Sequence, residues 1–254
     1  MKKLVDFTVV ENTSVGAGCF LLKLHTKETL PEILPGQFVN VLIEDAGVLL
    51  RRPISIHYAD SSNGELELLV KIAGKGTEKL SHIANGSSIN ILIPLGMEFT
   101  MPSKNDKVLL VGGGVGIAPL YYFAKEICKS GNKPTLLIGT RTSADIILKE
   151  KFEEVADLYY TTEDGSYGEK GYPTQHSILA KSYDRIYTCG PTPMMKGVAK
   201  YASEKDIFCE VSLENKMACG IGACLCCVQD TKEGHKCVCT TGPVFNINDL
   251  KWLS

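Results

Sequence analysis

Six of the chain's ten cysteines crowd between Cys219 and Cys239, in the stretch "MACGIGACLCCVQDTKEGHKCVCTTGPVF". Thiols at this density pair as disulfides or ligate metal. Cys219, Cys224 and Cys227 read C-x4-C-x2-C with further cysteines downstream, a spacing that suits a 2Fe–2S cluster. Gly220, Gly222 and Ala223 carry little or no side chain, so the chain between them can wrap closely round inorganic sulfides. A four-thiolate zinc site drawn from Cys224, Cys227, Cys237 and Cys239 competes for the same stretch. It leaves Cys219 and the small-residue loop without a role, so the spacing favours the cluster while the zinc reading stays open. The other four, Cys19, Cys128, Cys189 and Cys209, sit among apolar or small residues and read singly as small buried hydrophobes.

Elsewhere the signals are for binding. Gly112, Gly113, Gly114 and Gly116 follow a Val/Leu run and precede a helical stretch. In that setting backbone N–H groups and a helix dipole can meet a pyrophosphate. The strict GxGxxG spacing fails, because Ile117 or Pro119 falls where the last glycine should be, and a plain tight turn reads alike. "YTCGPTPMM" puts Cys189, Gly190 and Pro191 at the end of a later strand of the same sheet. Ligands of open parallel sheets bind at the strands' carboxyl ends, so both loops can face one crevice, with Cys189 toward a nicotinamide. Earlier, "RRPISI" offers Arg52 as a charged fork for a phosphate and Ser55 as a donor to a flavin ring. "GKGTEKLSHI" predicts a helix from Thr77 behind small residues, a further phosphate site.

The elements that must position these groups fall into two patterns. Up to about residue 101, "DFTVVEN", "CFLLKLH", "QFVNVLIED", "PISIHYAD", "ELELLVKI" and "SINILIP" predict the short strands of an antiparallel β-barrel. From 102 to 209 strands and helices alternate: "DKVLLVGGGVGIAP", helical "LYYFAKEICKSG", "KPTLLIGTRT", helical "DIILKEKFEEVA", then "YDRIYTCGPTPMMKGVAKYASEK". That alternation predicts a parallel α/β sheet with helices on its faces. Residues 210–254 follow neither pattern and form a small cysteine-rich subdomain. A length of 254 residues accommodates two domains and such an appendage. A formal net charge of −2, with no run of Lys and Arg, argues against a nucleic-acid partner. The longest apolar stretch, "VLLVGGGVGIAPLYYFA", has four glycines and a proline in its middle and is no membrane span. Asp6, Thr8 and Glu11 break up any signal-peptide core behind the two N-terminal lysines. A cytoplasmic location is therefore expected, where thiols stay reduced and a disulfide framework is disfavoured.

Taken in order, "RRPIS", "GKGT", "GGGVGIAP", "CGP" and "MACGIGAC…C…CTTGPVF" resemble the ferredoxin-reductase-like flavoproteins along nearly the whole chain. Within them the chain looks like the electron-transfer subunits of the NAD-linked (class B) dihydroorotate dehydrogenases. Related reductase subunits that serve ferredoxins or sulfur compounds tend to have an aspartate where this chain has Cys219. The resemblance implies FAD in the barrel, with Arg52, Pro53, Ile54 and Ser55 along the flavin and its phosphates. It places Leu69, Val70 and Lys71 beside them and Gly76 and Thr77 at the pyrophosphate. NAD would lie over Gly112, Gly113, Gly114, Gly116 and Cys189, Gly190, Pro191. The family's last cluster ligand directly precedes a stretch like "TTGPVF", which implies a 2Fe–2S cluster on Cys219, Cys224, Cys227 and Cys239, with Cys226 and Cys237 as bystanders. The implied partner is an FMN-containing, dihydroorotate-oxidising catalytic subunit, in a heterotetramer of two of each, working in pyrimidine (UMP) biosynthesis. No base for dihydroorotate is expected in this chain. One feature departs from the simple dinucleotide pattern: Thr140 and Arg141 stand where an acidic residue would select NAD over NADP.

Overall fold

The computed structural model describes residues 1–44 and 47–253. The first seven strands are β1 (Lys3–Gly16), β2 (Cys19–His25), β3 (Phe38–Val41), β4 (Arg52–Ser55), β5 (Tyr58–Asp60), β6 (Glu65–Lys71) and β7 (Ser88–Leu95). They pair antiparallel in the order β4-β3-β7-β1-β2-β6-β5. The run "PISIHYAD" is two strands, broken at Ile56–His57, and those two strands are the opposite edges of the sheet. Only two residues join them, so the sheet must curl until its edges meet, which makes it a barrel. Alternating residues of its strands, among them Phe7, Leu22, Val39, Val41, Leu68 and Ile91, fill the interior. The run through "VLIED" leaves the strand after Val41, and its end at Asp45 lies outside the described residues.

The second sheet holds β8 (Val108–Gly113), β9 (Thr135–Thr140), β10 (Asp157–Thr162), β11 (Glu169–Lys170), β12 (Arg185–Cys189) and β13 (Phe208–Ser212). With the late strand β16 (Val244–Asn246) its order is β11-β10-β9-β8-β12-β13-β16, parallel except at β16. Chain order reverses at β8, so a crevice opens beyond its carboxyl end. Two helices cover this sheet, α2 (Ala118–Lys129) and α4 (Thr192–Glu204), after α1 (Lys75–Ser81) in the barrel half. The run "DIILKEKFEEVA" is helical only over α3 (Lys149–Glu153). Leu148 takes a left-handed conformation (φ 52), which blocks continuation of a helix from Ile146 and Ile147. Helix α1 begins at Lys75, two residues before the expected Thr77.

The last segment is tied to the parallel sheet. Strand β13 crosses residue 209, and β16 returns to pair with it, so the cysteine-rich stretch is a loop pinned at both ends to the parallel sheet. It contains the hairpin β14 (Val228–Thr231) and β15 (Gly234–Cys237) and the single turn α5 (Val238–Thr241).

The barrel and the α/β unit are joined by buried polar contacts. His57 has no exposed surface, and its Nδ1 lies 3.0 Å from the Ala118 carbonyl oxygen. That carbonyl can only accept, so Nδ1 carries the proton. The imidazole stacks on Tyr121 at 4.6 Å between ring centres. Tyr122 donates its hydroxyl to the Ile33 carbonyl (2.9 Å), and Lys151 pairs with Glu67 across the same seam.

Candidate functional site

Two cavities lie along the seam. The larger, about 720 Å³, opens beyond the carboxyl end of β8. Gly113, Gly114 and Val115 form one wall, Pro191, Pro193 and Met194 the next, and Gly139 to Arg141 with Gly171 to Thr174 the far side. The loops approach so closely that the glycines are obligatory. A Cβ on Gly113 would stand 2.6 Å from Pro191 Cδ, and one on Gly116 would strike the Cys189 carbonyl and lie 2.6 Å from Gly190 Cα. Gly114 adds a left-handed φ of 54. Gly112, Gly116 and Gly190 thus shape the crevice from beneath, while Gly113, Gly114 and Pro191 line it.

Cys189 corrects the expectation placed on it. It ends β12 as foreseen, but its side chain is fully buried and lines neither cavity. Burial first, and the nearby Glu214 charge next, push its thiol well above the ordinary range. Its side chain packs in the apolar cluster that holds Ile117, Ala118 and Tyr121, so Pro191 rather than Cys189 lines the crevice.

The second cavity, about 320 Å³, lies between barrel and α/β unit. Pro53, Ile54 and Ser55 of β4, Leu69, Val70 and Lys71 of β6, and Thr77 line it, as expected. Arg52 and Gly76 sit just outside it and against each other, since a Cβ on Gly76 would collide with the guanidinium. Thr77 Oγ1 accepts from the Ala73 and Gly74 N–H groups (2.9 and 3.3 Å), closing the turn at the start of α1. Phe38, Leu213 and Met217 give flat apolar walls suited to a ring system, with Ser55, Lys71 and Glu214 as polar groups at its edges. Those are features of a built ligand site. Glu214 borders the open cavity with its side chain exposed there, and the protein packed round that cavity raises its carboxyl above the ordinary range. Lys71 and Val115 line both cavities. Leu213, Glu214, Asn215, Met217 and Pro243 escaped the sequence reading, because a cavity wall built from the flanks of a cysteine motif has no signature of its own.

Those flanks lead directly to the cysteines. Met217 is two residues before Cys219, and Pro243 is four after Cys239. A fully extended chain spans at most about 3.6 Å per residue, so the cavity wall is within ~7 Å and ~14 Å of these two α-carbons along the chain. Cys227 and Cys239 are buried at the base of the loop, Cys219 is half-buried and Cys224 exposed. Backbone N–H groups point at all four sulfurs. Those of Ile221 and Cys224 meet Cys219 Sγ (both 3.4 Å), and that of Cys219 meets Cys224 Sγ (3.5 Å). Gly222 N–H meets Cys239 Sγ (3.1 Å), and Cys239 N–H meets Cys227 Sγ (3.4 Å).

The two remaining cysteines differ in kind. Cys226 turns away and donates to the Lys216 carbonyl (3.6 Å). Cys237 lies beside Cys227, and burial above all raises its thiol. The Ile221 N–H is the largest influence bringing Cys219 down to about 6, whereas burial and then the Cys227 sulfur push Cys239 up to about 12. Ligation needs all four as thiolates, and positive metal charge supplies what the backbone donors alone do not. Four sulfurs each met by a backbone N–H round a small-residue loop suit the thiolates of an iron–sulfur cluster.

The comparisons with known proteins agree with this construction. Residues 6–99 match an oxidoreductase FAD-binding domain, 110–200 an oxidoreductase NAD-binding domain, and 214–251 the iron-sulfur cluster binding domain of dihydroorotate dehydrogenase B. The electron transfer subunit of dihydroorotate dehydrogenase B (NAD(+)) from Clostridium acetobutylicum is 40% identical over 242 residues, covering 95% of each chain. That of Shouchella clausii is 34% identical over 257 residues, covering 98% of each. The chain belongs to the electron transfer subunits of dihydroorotate dehydrogenase B. Within that family it is an oxidoreductase subunit with FAD, NAD and iron–sulfur parts in the order the sequence implied. A solved NADH-dependent reduced ferredoxin-NADP oxidoreductase superposes with a TM-score of 0.87 at 31% identity, over 97% of this chain and 90% of that one. A ferredoxin reductase of carbazole 1,9a-dioxygenase (TM-score 0.70, 22% identity, 81% and 67% covered) shares the fold. No helix of the described residues is long and apolar enough to cross a membrane.

Proposed function

We propose that this chain carries electrons from an FMN-containing, dihydroorotate-oxidising partner subunit to NAD, in the synthesis of UMP, in a cytoplasmic complex of two chains of each kind. One observation carries the route: the cavity lined by Ser55 and Leu69 meets the nucleotide crevice at Lys71 and Val115 and the cysteine loop at Met217 and Pro243. A flavin held there can exchange a hydride with a nicotinamide on one side and single electrons with an iron–sulfur cluster on the other.

Each residue then has a limited task. Pro53, Ile54, Leu69 and Val70 hold the flavin ring, while Ser55 and Lys71 offer donors at its edge. Arg52, Gly76 and Thr77 receive its phosphates. Gly113, Gly114 and Pro191 leave room for the nucleotide, with Gly112, Gly116 and Gly190 shaping the loops beneath. Cys219, Cys224, Cys227 and Cys239 ligate the cluster. Arg141 is paired with Asp145 (Nε–Oδ2 3.7 Å), and Glu163 adds a second carboxylate to that end of the crevice. A 2′-phosphate there would meet carboxylates rather than a free guanidinium, which supports NAD over NADP.

The cysteine loop also offers the partner a surface. Ile221 and Leu225 are 48% and 66% exposed beside the cluster ligands, and Leu225 is held at a left-handed φ of 56. Exposed apolar side chains on a strained, otherwise well-bonded loop are suited to an interface.

The test is anaerobic co-expression with an FMN-type dihydroorotate dehydrogenase subunit. The expected result is one FAD, two irons and two sulfides per copy of this chain, and dihydroorotate-dependent NAD reduction only by the complex. Turnover of dihydroorotate by this chain alone, or retention by a ferredoxin rather than by the FMN subunit, would overturn it. The second outcome would instead favour a reductase like the NADH-dependent structural relative.

A further inference from the structure

The flavin-binding strands touch the cysteine loop directly. Along β3, Val39 and Val41 turn into the barrel core, and the alternation of a strand sends Phe38 and Asn40 to the opposite face. Phe38 lines the flavin cavity and packs in the same apolar cluster as Cys227 and Cys239. Asn40 pairs through its backbone with Pro53 of β4 and reaches with Nδ2 to the Cys219 carbonyl at 3.3 Å. It is 1% exposed, and its Oδ1 has no hydrogen-bond partner among the described residues. The opposite amide orientation would set oxygen against the carbonyl oxygen, so the donor end belongs at Cys219. Gly220 completes the contact: at φ +72 a Cβ there would stand 2.6 Å from Asn40 Nδ2. A half-satisfied buried amide is costlier than an apolar side chain of the same shape, and the fold accepts that cost where the N–H meets the cluster loop.

We propose that Asn40 is a positioning residue for the cluster: by holding the Cys219–Gly220 peptide against the flavin-binding strand pair it sets the direction of the loop's N–H groups and, through them, the cluster's reduction potential. The inference rests on the assignment of the cluster to Cys219, Cys224, Cys227 and Cys239. The peptides that follow Cys219 are those whose N–H groups meet sulfur, Ile221 to Cys219 and Gly222 to Cys239. N–H dipoles aimed at thiolates stabilise the more negative, one-electron-reduced form of a cluster and so raise its potential. A loop released from Asn40 loses part of that alignment. The same bond ties the start of the loop to β3 and β4, as the Met97 N–H bond to the Gly242 carbonyl (2.6 Å) ties its end to the barrel.

The test uses the full chain loaded with flavin and cluster, in Asn40→Leu, which keeps the shape without a donor, and Asn40→Asp, which sets oxygen against the carbonyl. The readouts are iron and sulfide content, the EPR spectrum of the reduced cluster, its midpoint by redox titration, and NADH oxidation by ferricyanide as a measure of the flavin alone. The expected result is an altered EPR spectrum and a lower midpoint, by about tenfold in the one-electron equilibrium (about 59 mV), with NADH–ferricyanide turnover within about twofold of wild type. Loss of iron with flavin retained is the stronger form of the same result. A wild-type midpoint and spectrum in Asn40→Leu would overturn the proposal. If neither variant folds, Gly220→Ala displaces the same bond from the other side and must give the same shift, and its failure to do so is equally decisive. A wild-type chain without sulfide or EPR signal would instead remove the cluster assignment itself.

Discussion

Lys71, the last residue of β6 in the barrel, and Val115, in the glycine loop after β8, each line both cavities. A flavin in one cavity and a nicotinamide in the other would approach each other past these two residues, so the side chain of Val115 bears on how closely they come. Val115→Phe fills the junction without altering the residues that grip either ligand. Flavin content should stay at wild-type level, while flavin bleaching by NADH, followed by stopped flow, should slow on the order of 10²-fold, the cost of misplacing reacting atoms by about an ångström. Normal bleaching would place hydride transfer elsewhere.

Gly116 lies against the backbone of Cys189 and Gly190, which cannot yield as a flexible side chain would. Gly116→Ala should therefore part the two loops. Overpacking of this kind costs about 1–3 kcal/mol in stability, measurable by urea unfolding. The KM for NADH should rise with it, and flavin binding should be unaffected.

His57 links the stability of the domain seam to pH. Burial, with a smaller contribution from the Lys151 charge, lowers its imidazole from the ordinary 6.5 to about 3, although its bond to the Ala118 carbonyl works the other way. The folded chain thus refuses a proton that the unfolded chain accepts. Above pH 6.5 neither state holds that proton, and the contribution to stability is complete. As pH falls from 6.5 toward 3, stability is lost at up to about 1.4 kcal/mol per pH unit. His57→Gln should be less stable at pH 7.5 but should lose about that slope when unfolding is compared at pH 7, 6 and 5. An unchanged slope would move the acid sensitivity to another group.

How much of this was legible in the sequence depends on where the signal lay. The barrel, the strand–helix alternation and the cysteine spacing all rest on local patterns, and the structure has them. The split of "PISIHYAD" was not legible, because it arises from closure of the sheet at Ile56–His57 and not from any break in hydrophobicity. Cys189 was misplaced because a strand end fixes where a residue sits, whereas the core cluster that takes up its side chain is assembled from distant parts of the chain. Thr140 and Arg141 departed from the simple acidic pattern, and the carboxylate of Asp145, four residues from Arg141, becomes a neighbour only through the turn at Ser143–Asp145. Asn40 gave no signal, since its partner is 179 residues away.

Leu225 is 66% exposed at φ 56, and a non-glycine residue in that region is under strain. Leu225→Asp should weaken association with the FMN-type subunit by about tenfold or more in Kd, as expected for loss of an apolar anchor at an interface core. The EPR spectrum of the isolated chain should not change, because no ligand moves. Unchanged affinity would show that the partner docks on another face.

The cysteines can be sorted by the company their sulfurs keep. Cys219, Cys224, Cys227 and Cys239 each accept a backbone N–H, which suits a thiolate that remains negative on a metal. Cys226 donates to the Lys216 carbonyl and therefore behaves as a thiol. Cys237 is the demanding case, because it adjoins Cys227 and could replace a lost neighbour. Serine at any of the first four should remove most of the iron and sulfide, whereas Cys226→Ser and Cys237→Ser should keep both and the wild-type EPR spectrum. The double variant Cys237→Ser/Cys239→Ser separates ligand from substitute: if Cys239→Ser alone retains a cluster with altered g-values and the double variant loses it, Cys237 stands in when Cys239 is gone. Loss of the cluster in Cys237→Ser alone would exchange the two assignments and move the fourth ligand from α5 to the end of β15.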